Sequence, residues 1–317
     1  MTENRKSAWS RIKSFDYLPL IIAFAIIIAF FGITTNHFFA VRNFMNILLY
    51  TANVGILTCT MTLILVSGNI DLSVGSVIAL GGIVMGTCLQ NGMPTALAIL
   101  ICLAVCMLTG VYNAIMITRV HVNAFITTLA GMQIFRGVAY IITNGKSITI
   151  TNAAIKTIGR GYLGPIPNAV IIMLAIVVAF NWIAKNTVFG RRIYVIGGNA
   201  NVAFLSGIDV SKNLSLLLVL NGLLCGVTTV VYCSQLGAAM PQNATGMEFD
   251  VITAVVLGGT SMSGGKGTIV GSIIGALLIG TLNNGMVMMN IQSYWQDVIG
   301  GIVLVIAVIF DIVKNRK

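Results

Sequence analysis

Charge is what this sequence has least of. Only 8% of its 317 residues are Asp, Glu, Lys or Arg, where a soluble domain carries roughly 25%. So few charges cannot cover a water-facing surface of this size, which excludes an ordinary soluble globular protein. Acid is scarcer than base, with 8 Asp and Glu against 18 Lys and Arg. The net charge of +10 raises nucleic acid as a partner. However, the basic residues lie in short clusters between apolar runs, with no basic stripe and no interleaved aromatic platform, so no nucleic acid is expected. Histidine is limited to His37 and His121, which stand alone. The six cysteines, Cys59, Cys88, Cys102, Cys106, Cys225 and Cys233, fall in or at the edge of apolar runs, without metal-ligand spacing to His. They read as small buried hydrophobes, and no metal site is expected. No Ser/His/Asp or Cys/His constellation and no carboxylate pair points to an enzyme.

What is present is apolar sequence. Hydrophobic residues make up 57% of the chain, and the mean hydropathy is +0.97. A spanning helix needs ~20 apolar residues at about 1.5 Å each. On that rule helices fall at 17–35, 46–66, 72–89, 95–117, 124–142, 168–184, 213–233, 249–262, 268–286 and 294–312. The expected fold class is an all-α integral membrane protein of about ten transmembrane helices, forming one transmembrane domain over 1–317. The basic stretch Arg5 to Lys13 before the apolar run Tyr17 to Ile33 imitates a signal peptide. It lacks a small-residue cleavage site and reads as a retained first helix.

Lys and Arg set the orientation. With the N-terminus in the cytoplasm, thirteen fall inside: Arg5, Lys6, Arg11, Lys13, Arg119, Lys185, Arg191, Arg192, Lys212, Lys266, Lys314, Arg316 and Lys317. Arg42, Lys146, Lys156 and Arg160 fall outside, and Arg136 falls within a helix. This asymmetry favours an even number of spans with both termini cytoplasmic. Two loops are long, an external one at 143–167 with turn signals at Asn144-Gly145 and Gly164-Pro165, and a cytoplasmic one at 185–212. Val74-Gly75-Ser76 and Val270-Gly271-Ser272 form a faint internal echo, of the kind that transporter repeats produce and that chance produces in Gly/Ile/Val-rich helices.

Several local signals interrupt the apolar runs. Ser67 to Ser76 places an acid, an amide and hydroxyls in one stretch. Asp71 or Ser73 caps the next helix there, and the stretch also reads as a structured break beside a permeation path. Gly258 to Thr268 imitates a phosphate-binding loop. Gly267 follows Lys266 and Thr260 stands at the first glycine position, so the P-loop pattern fails and a tight turn is expected instead. Gly267, Gly271 and Gly275 share one helix face, as do Gly82 and Gly86, and both sets suit close helix packing. In the cytoplasmic loop, Asn199 suits an N-cap and Gly207 a C-terminal cap. Between them fits a helix of about two turns, which leaves Val202, Phe204 and Leu205 to be covered by the protein's own helix ends or by a soluble partner. Glu3, Asp16, Asp209 and Asp311 read as lying at cytoplasmic edges, and Glu248, Asp250 and Asp297 at external edges. Acids kept out of the midplane count against an ion-coupled secondary transporter. Arg136 either snorkels to the interface or faces the pathway. Asn53, Thr58, Asp71, Gln133, Arg136 and Asn283 are the polar residues in apolar runs that could line a path.

Asn69 to Ser76, Arg192 to Asn199, Ser206-Gly207-Ile208, and Ala254 to Ser261 followed by Gly264-Gly265-Lys266-Gly267 together resemble the membrane permease of ribose-type sugar ABC importers. Asn123 to Leu129, Arg136-Gly137 and Thr143-Asn144-Gly145 fit the same pattern, and the likeness covers nearly the whole chain. It departs at Asn69, where the family commonly has Gly. The resemblance implies a bacterial cell-membrane permease that pairs with a second permease subunit, as a homodimer or a heterodimer. It implies a cytoplasmic ATP-binding cassette subunit that holds ATP and Mg, with no cofactor in this chain, and an extracytoplasmic sugar-binding protein. Asn199, Ala200, Val202, Phe204, Leu205, Ser206 and Gly207 would form the coupling helix that docks into the ATPase. The external segments near 143–167 and 234–248 would meet the binding protein. A branched-chain amino-acid ABC permease and an ion-coupled secondary transporter are the alternatives.

Overall fold

In the computed structural model, residues 18–315 are described. Arg5, Lys6, Arg11, Lys13, Glu3, Asp16, Tyr17, Arg316 and Lys317, used above for the termini, lie outside the described residues. The chain runs α1 (Leu18–Thr34), α2 (Val41–Val66), α3 (Val74–Gln90), α4 (Thr95–Thr118), α5 (Ala124–Thr143), β1 (Ile148–Thr149), α6 (Ala153–Arg160), β2 (Tyr162–Leu163) and β3 (Ile166–Pro167). It continues with α7 (Asn168–Asn186), α8 (Val188–Gly198), α9 (Ala200–Leu205), α10 (Val210–Leu236), β4 (Ala238–Ala239), α11 (Met247–Leu257), α12 (Ile269–Met288) and α13 (Ser293–Asn315). Each expected apolar run holds a helix. Among the described residues, 7 helices (α2, α4, α5, α7, α10, α12 and α13) are long and apolar enough to cross a membrane. The protein is a mostly helical membrane protein.

The helix expected at 249–262 is corrected. α11 has 11 residues, about 16 Å of rise against a hydrocarbon core of about 30 Å. Gly259 takes φ +88 directly after the helix, in a conformation that glycine adopts without steric cost. The segment near 234–248 is not a free loop but is largely packed into the bundle. Ala239, Asn243, Ala244 and Met247 are buried, and Gly75 of α3 packs on the Ala244 carbonyl and the Glu248 side chain. The chain therefore passes back along α3 in irregular form before α11 begins. Buried irregular backbone of this kind is tolerated at membrane depth only inside protein or along a cavity. α3 begins beside α11 in the same way, after the buried stretch 71–73, so two incomplete helices meet near their N-termini.

The 185–212 loop is likewise mostly helix. Thr187 caps α8 by accepting the Gly190 N–H at 3.1 Å. In the 143–167 segment, Asn152 caps α6 by accepting from the Ala154 and Ile155 amides at 3.0 and 3.2 Å. β1 pairs antiparallel with β4, and β2 with β3. These two separate ribbons mark one end of the bundle, the ribbon end, and α9 lies at the other.

α2 is the axis of the bundle: every residue from Thr51 to Ser67 is buried. Its polar side chains suit that position. Thr58 and Thr62 donate to carbonyls within the helix, and Thr62 also reaches Ser272 on α12 at 2.7 Å. The most extensive helix contact joins α4 and α10. A Cβ on Gly110 would strike the Leu218 carbonyl, and one on Gly222 the Cys106 carbonyl, so these glycines let the two backbones touch.

Candidate functional site

Near the ribbon end, α2, α10, α11 and the irregular 244–246 stretch enclose a cavity of about 340 Å³. Tyr50, Asn53, Tyr232, Gln235, Thr245 and Asp250 give it hydrogen-bonding walls, and Met247 adds an apolar surface. Tyr50 and Asn53 lie three residues apart on α2, as do Tyr232 and Gln235 on α10, so each helix turns one polar face inward. The Tyr50 hydroxyl donates to Asp250 Oδ2 at 2.5 Å and accepts from Asn283 Nδ2 of α12 at 2.6 Å. Asn53 Nδ2 donates to Gln235 Oε1 at 2.7 Å and to the Leu49 carbonyl at 3.3 Å. Asn53 Oδ1 and Gln235 Nε2 are enclosed and have no partner. The cavity has the size and mixed lining of a small-molecule site.

A second polar cluster is closed. Asp71 is only 2% exposed. Its Oδ1 accepts from the Ser73 amide at 2.8 Å and the Ser73 hydroxyl at 2.6 Å. Its Oδ2 accepts from Asn221 Nδ2 at 2.9 Å and Asn113 Nδ2 at 3.3 Å. Thr60 of α2 donates to Asn221 Oδ1 at 2.7 Å, which joins α2, α4 and α10 to the start of α3. The capping expected of Asp71 or Ser73 is corrected: Ser73 is the N-cap residue of α3 and no side chain accepts from the first-turn amides, while Asp71 holds Ser73 itself and braces two neighbouring helices. Asn69, the departure from the family pattern, does not take a left-handed conformation, whereas Gly68 does with φ +80. The Asn69 side chain turns back to Ser67.

At the other end of the bundle, three backbone segments converge. The Gly265 N–H donates to the Val66 carbonyl at 2.8 Å. A Cβ on Gly197, in the last turn of α8, would overlap that same carbonyl. The tight turn expected at 258–268 is present, with Gly264 and Gly265 at φ +87 and +75, and it packs against α2 and α8. Tyr194 adds a hydrogen bond to the Gly267 carbonyl at 2.8 Å. From this junction α9 projects. Asn199 caps it by accepting from the Asn201 and Val202 amides at 3.0 and 3.1 Å. Gly207, with φ +79, ends it with paired bonds, Gly207 N–H to the Phe204 carbonyl at 2.9 Å and Ile208 N–H to the Ala203 carbonyl at 3.0 Å. That is the Schellman arrangement. Ala203 is fully buried, whereas Phe204 is 71% and Leu205 83% exposed. Ala200, Val202 and Ser206 complete the projecting surface, all three exposed.

The other residues marked in the sequence are dispersed. Asn53 lines the cavity and Asn283 reaches it through Tyr50. Thr58 is fully buried and bonded to the Gly55 carbonyl at 2.8 Å. Gln133 is exposed on α5. Arg136 is half-buried and donates from Nη1 to the Pro241 and Asn243 carbonyls at 2.6 and 3.2 Å, which ties α5 to the irregular segment. Gly82 packs on Cys233 of α10, and Gly86 on Ile148 of the ribbon. Gly275 packs on the Ala254 carbonyl of α11, and the Gly271 backbone contacts Gly258. Gly267 precedes α12 and packs on Thr260, so the helical part of that ladder starts at Gly271. The acids need a firmer correction. Glu248 is 4% exposed with Oε2 unpartnered, and Asp250 faces the cavity, so neither sits at an exposed edge. Sequence reading missed Tyr50, Gln235 and Asp250. Tyr50 and Gln235 sit near the ends of apolar runs, where Tyr and Gln draw no attention. Asp250 follows a segment whose re-entry has no local signature.

The matches to known proteins extend over this whole architecture. Residues 43–308 match the family described as branched-chain amino acid transport system / permease component. The chain is 39% identical over 292 residues to ribose import permease protein RbsC of Bacillus subtilis (strain 168), covering 92% of this chain and 91% of the relative. It is 36% identical over 306 residues to the probable ABC transporter permease protein YphD of Escherichia coli (strain K12), covering 96% and 92%. It is 32% identical over 375 residues to xylose transport system permease protein XylH of the same strain, covering 98% and 95%. No solved structure matches the chain.

Proposed function

This chain belongs to the branched-chain amino acid transport system / permease component family, and from that membership we propose that it is the membrane permease subunit of a binding-protein-dependent ABC importer for a monosaccharide or related small polyol. Sugar is favoured over a branched-chain amino acid on two grounds. The relatives named above for a substrate import ribose and xylose. Hydroxyl, amide and carboxylate groups stand in the cavity wall beside the apolar Ala244 and Met247, and an aliphatic side chain would leave those polar groups unpaired at a cost of about 1–3 kcal/mol for each buried group.

In this reading the chain crosses the membrane ten times with both termini in the cytoplasm, and the short α11 completes one crossing together with the irregular segment before it. The distribution of Lys and Arg supports that topology. The α9 end faces the cytoplasm and the ribbon end faces out. A separate cytoplasmic ATP-binding cassette subunit holds ATP and Mg and performs hydrolysis, and this chain needs no cofactor of its own. An extracytoplasmic binding protein delivers the sugar, and a second permease subunit completes the path. The β2–β3 hairpin, with Tyr162 and Leu163 exposed at 56% and 70%, is the surface offered to the binding protein. ATP binding drives alternating access because closure of the ATPase binds one conformation of the permease better than the other.

The observation that carries this division of labour is α9. Six residues are too few for a stable isolated helix, yet it is capped at both ends and leaves the apolar side chains of Val202, Phe204 and Leu205 uncovered. It is also rooted in a junction where Val66, Gly197 and Gly265 touch. A push on α9 therefore reaches α2 and the α11–α12 turn through backbone contacts. Changing Phe204 and Leu205 together to Asp should abolish ATP-driven uptake and binding of the ATPase subunit, with normal amounts of permease in the membrane. Uptake at the normal rate in that variant defeats the coupling role. Uptake that follows an ion gradient without ATP defeats the ABC assignment.

A further inference from the structure

An amide pair that shares one hydrogen bond always keeps one donor and one acceptor in reserve. Asn53 and Gln235 form such a pair at 2.7 Å. The reserve is Asn53 Oδ1 and Gln235 Nε2, both enclosed and without partners. The Nδ2 bond to the Leu49 carbonyl at 3.3 Å sets this orientation of Asn53, because the reversed amide would place its oxygen against that carbonyl. Enclosed amide groups with no partner are costly, and a fold that needed only packing here would be served by two aliphatic residues. The pair belongs to the wall of the 340 Å³ cavity. Asp250 lies in the same wall, with one oxygen engaged by Tyr50.

We propose that this cavity is a binding station for the transported sugar within the permease itself. One sugar hydroxyl enters between Asn53 and Gln235, donating to the spare carbonyl oxygen and accepting from the spare amide N–H. A second hydroxyl donates to Asp250, whose carboxylate is held in place by the Tyr50–Asn283 relay. A single hydroxyl both donates and accepts and can therefore bond both groups at once, whereas a carboxylate cannot donate and an ammonium cannot accept. The site thus selects neutral polyols over amino acids. Binding is weak, because each new bond replaces one to water and the Asn53–Gln235 bond has to open to admit the hydroxyl. Weak binding suits a path that must also release its cargo. The inference rests on the sugar-importer reading and adds selectivity inside the membrane subunit.

The test uses the full-length chain in lipid nanodiscs and saturation-transfer NMR, with D-ribose and D-xylose as probes and L-leucine as the control. The wild type is expected to give saturation signals from both sugars and none from leucine. The double variant N53L/Q235L should lose at least fivefold of the sugar signal while its thermal unfolding is unchanged. If that variant does not fold, Q235E and N53S replace it, each keeping part of the reserve and giving an intermediate signal. Absence of a sugar signal in the wild type overturns the proposal, as do equal signals in wild type and variants. ATP-driven uptake by the reconstituted importer separates the two levels. Pentose uptake with no pentose bound by the permease sinks the binding station alone. Import of leucine in place of any sugar sinks the functional reading and the station with it.

Discussion

Replacing Asp71 tests whether the closed cluster is held by hydrogen bonds or by charge. Asp71→Ala would strand the Ser73 amide and the Asn221 amide group, which donate to the carboxylate at 2.8 and 2.9 Å. The Ser73 hydroxyl can rotate, and Asn113 keeps its 3.0 Å bond to that hydroxyl, so two donors are lost outright. At about 1–3 kcal/mol for each unsatisfied buried donor, and with a cavity added, the loss is about 3–6 kcal/mol. Relief from desolvating a carboxylate works in the opposite sense and is worth several kcal/mol for an unpaired charge. Here the four accepted hydrogen bonds have already offset most of that penalty, so the loss should dominate. Asp71→Asn behaves differently. Its retained oxygen still accepts from Ser73, and its new amide can donate to Asn113 Oδ1, which now has no partner. Asn221 can turn over, because Thr60 can accept as well as donate. The expected cost is about 1 kcal/mol. Unfolding of the purified protein in mixed micelles with rising SDS measures both. The reasoning is refuted if Asp71→Ala is as stable as the wild type, or if Asp71→Asn loses as much as Asp71→Ala.

Gly197→Ala places a Cβ over the Val66 carbonyl and 2.8 Å from the Gly265 amide. It should cut ATP-driven uptake at least tenfold while the partner ATPase still binds and turns over, as seen by comparing uptake with phosphate release in proteoliposomes. Gly110→Leu drives a side chain into the Leu218 carbonyl across the α4–α10 crossing. Overpacking of this kind costs about 1–3 kcal/mol or more, and the variant should aggregate in fluorescence-detected size-exclusion chromatography. Arg136→Gln shortens the reach to the Pro241 and Asn243 carbonyls. Faster hydrogen exchange confined to 238–246 is expected, with little change in α4 or α10.

The helices were legible because lipid leaves few alternatives to an apolar run of about twenty residues. The short α9 segment was legible for a different reason. Asn199 and Gly207 are cap residues at a spacing that only a two-turn helix satisfies, and the structure meets both caps. What stayed hidden is the depth at which helices stop. Nothing local in Gly237 to Gly246 says that this stretch turns inward instead of looping outside. That outcome depends on Gly75, Gly82 and Gly86 of α3, about 160 residues earlier in the chain, which leave a groove for it, and on Arg136, which takes up its carbonyls. The same distance hid the cavity. Asn53 and Asn283 stand out as amides in apolar runs, but their partners are Gln235 and Tyr50, and no pattern along the chain pairs residues 182 positions apart.

The acids show why a residue's position in sequence misjudges its depth in the fold. Glu248 and Asp250 occupy the first turn of α11, where the exposed amides and the helix dipole favour negative charge. In a full-length spanning helix that turn would lie at the membrane surface, and two acids there would be unremarkable. Because α11 has lost its outer half, the same turn lies inside the bundle, and its acids go in with it. Glu248 then sits against the start of α3, whose own N-terminus supports it from the other side, and Asp250 faces the cavity. Shortening a helix thus delivers a hydrogen-bonding carboxyl group to the cavity wall without placing an isolated acid in the middle of a span. The Asp71 end of α3 applies the same device in reverse, with the carboxylate satisfied by protein alone. One incomplete helix is therefore closed by its acid, whereas the other is left with an acid in the wall of the cavity.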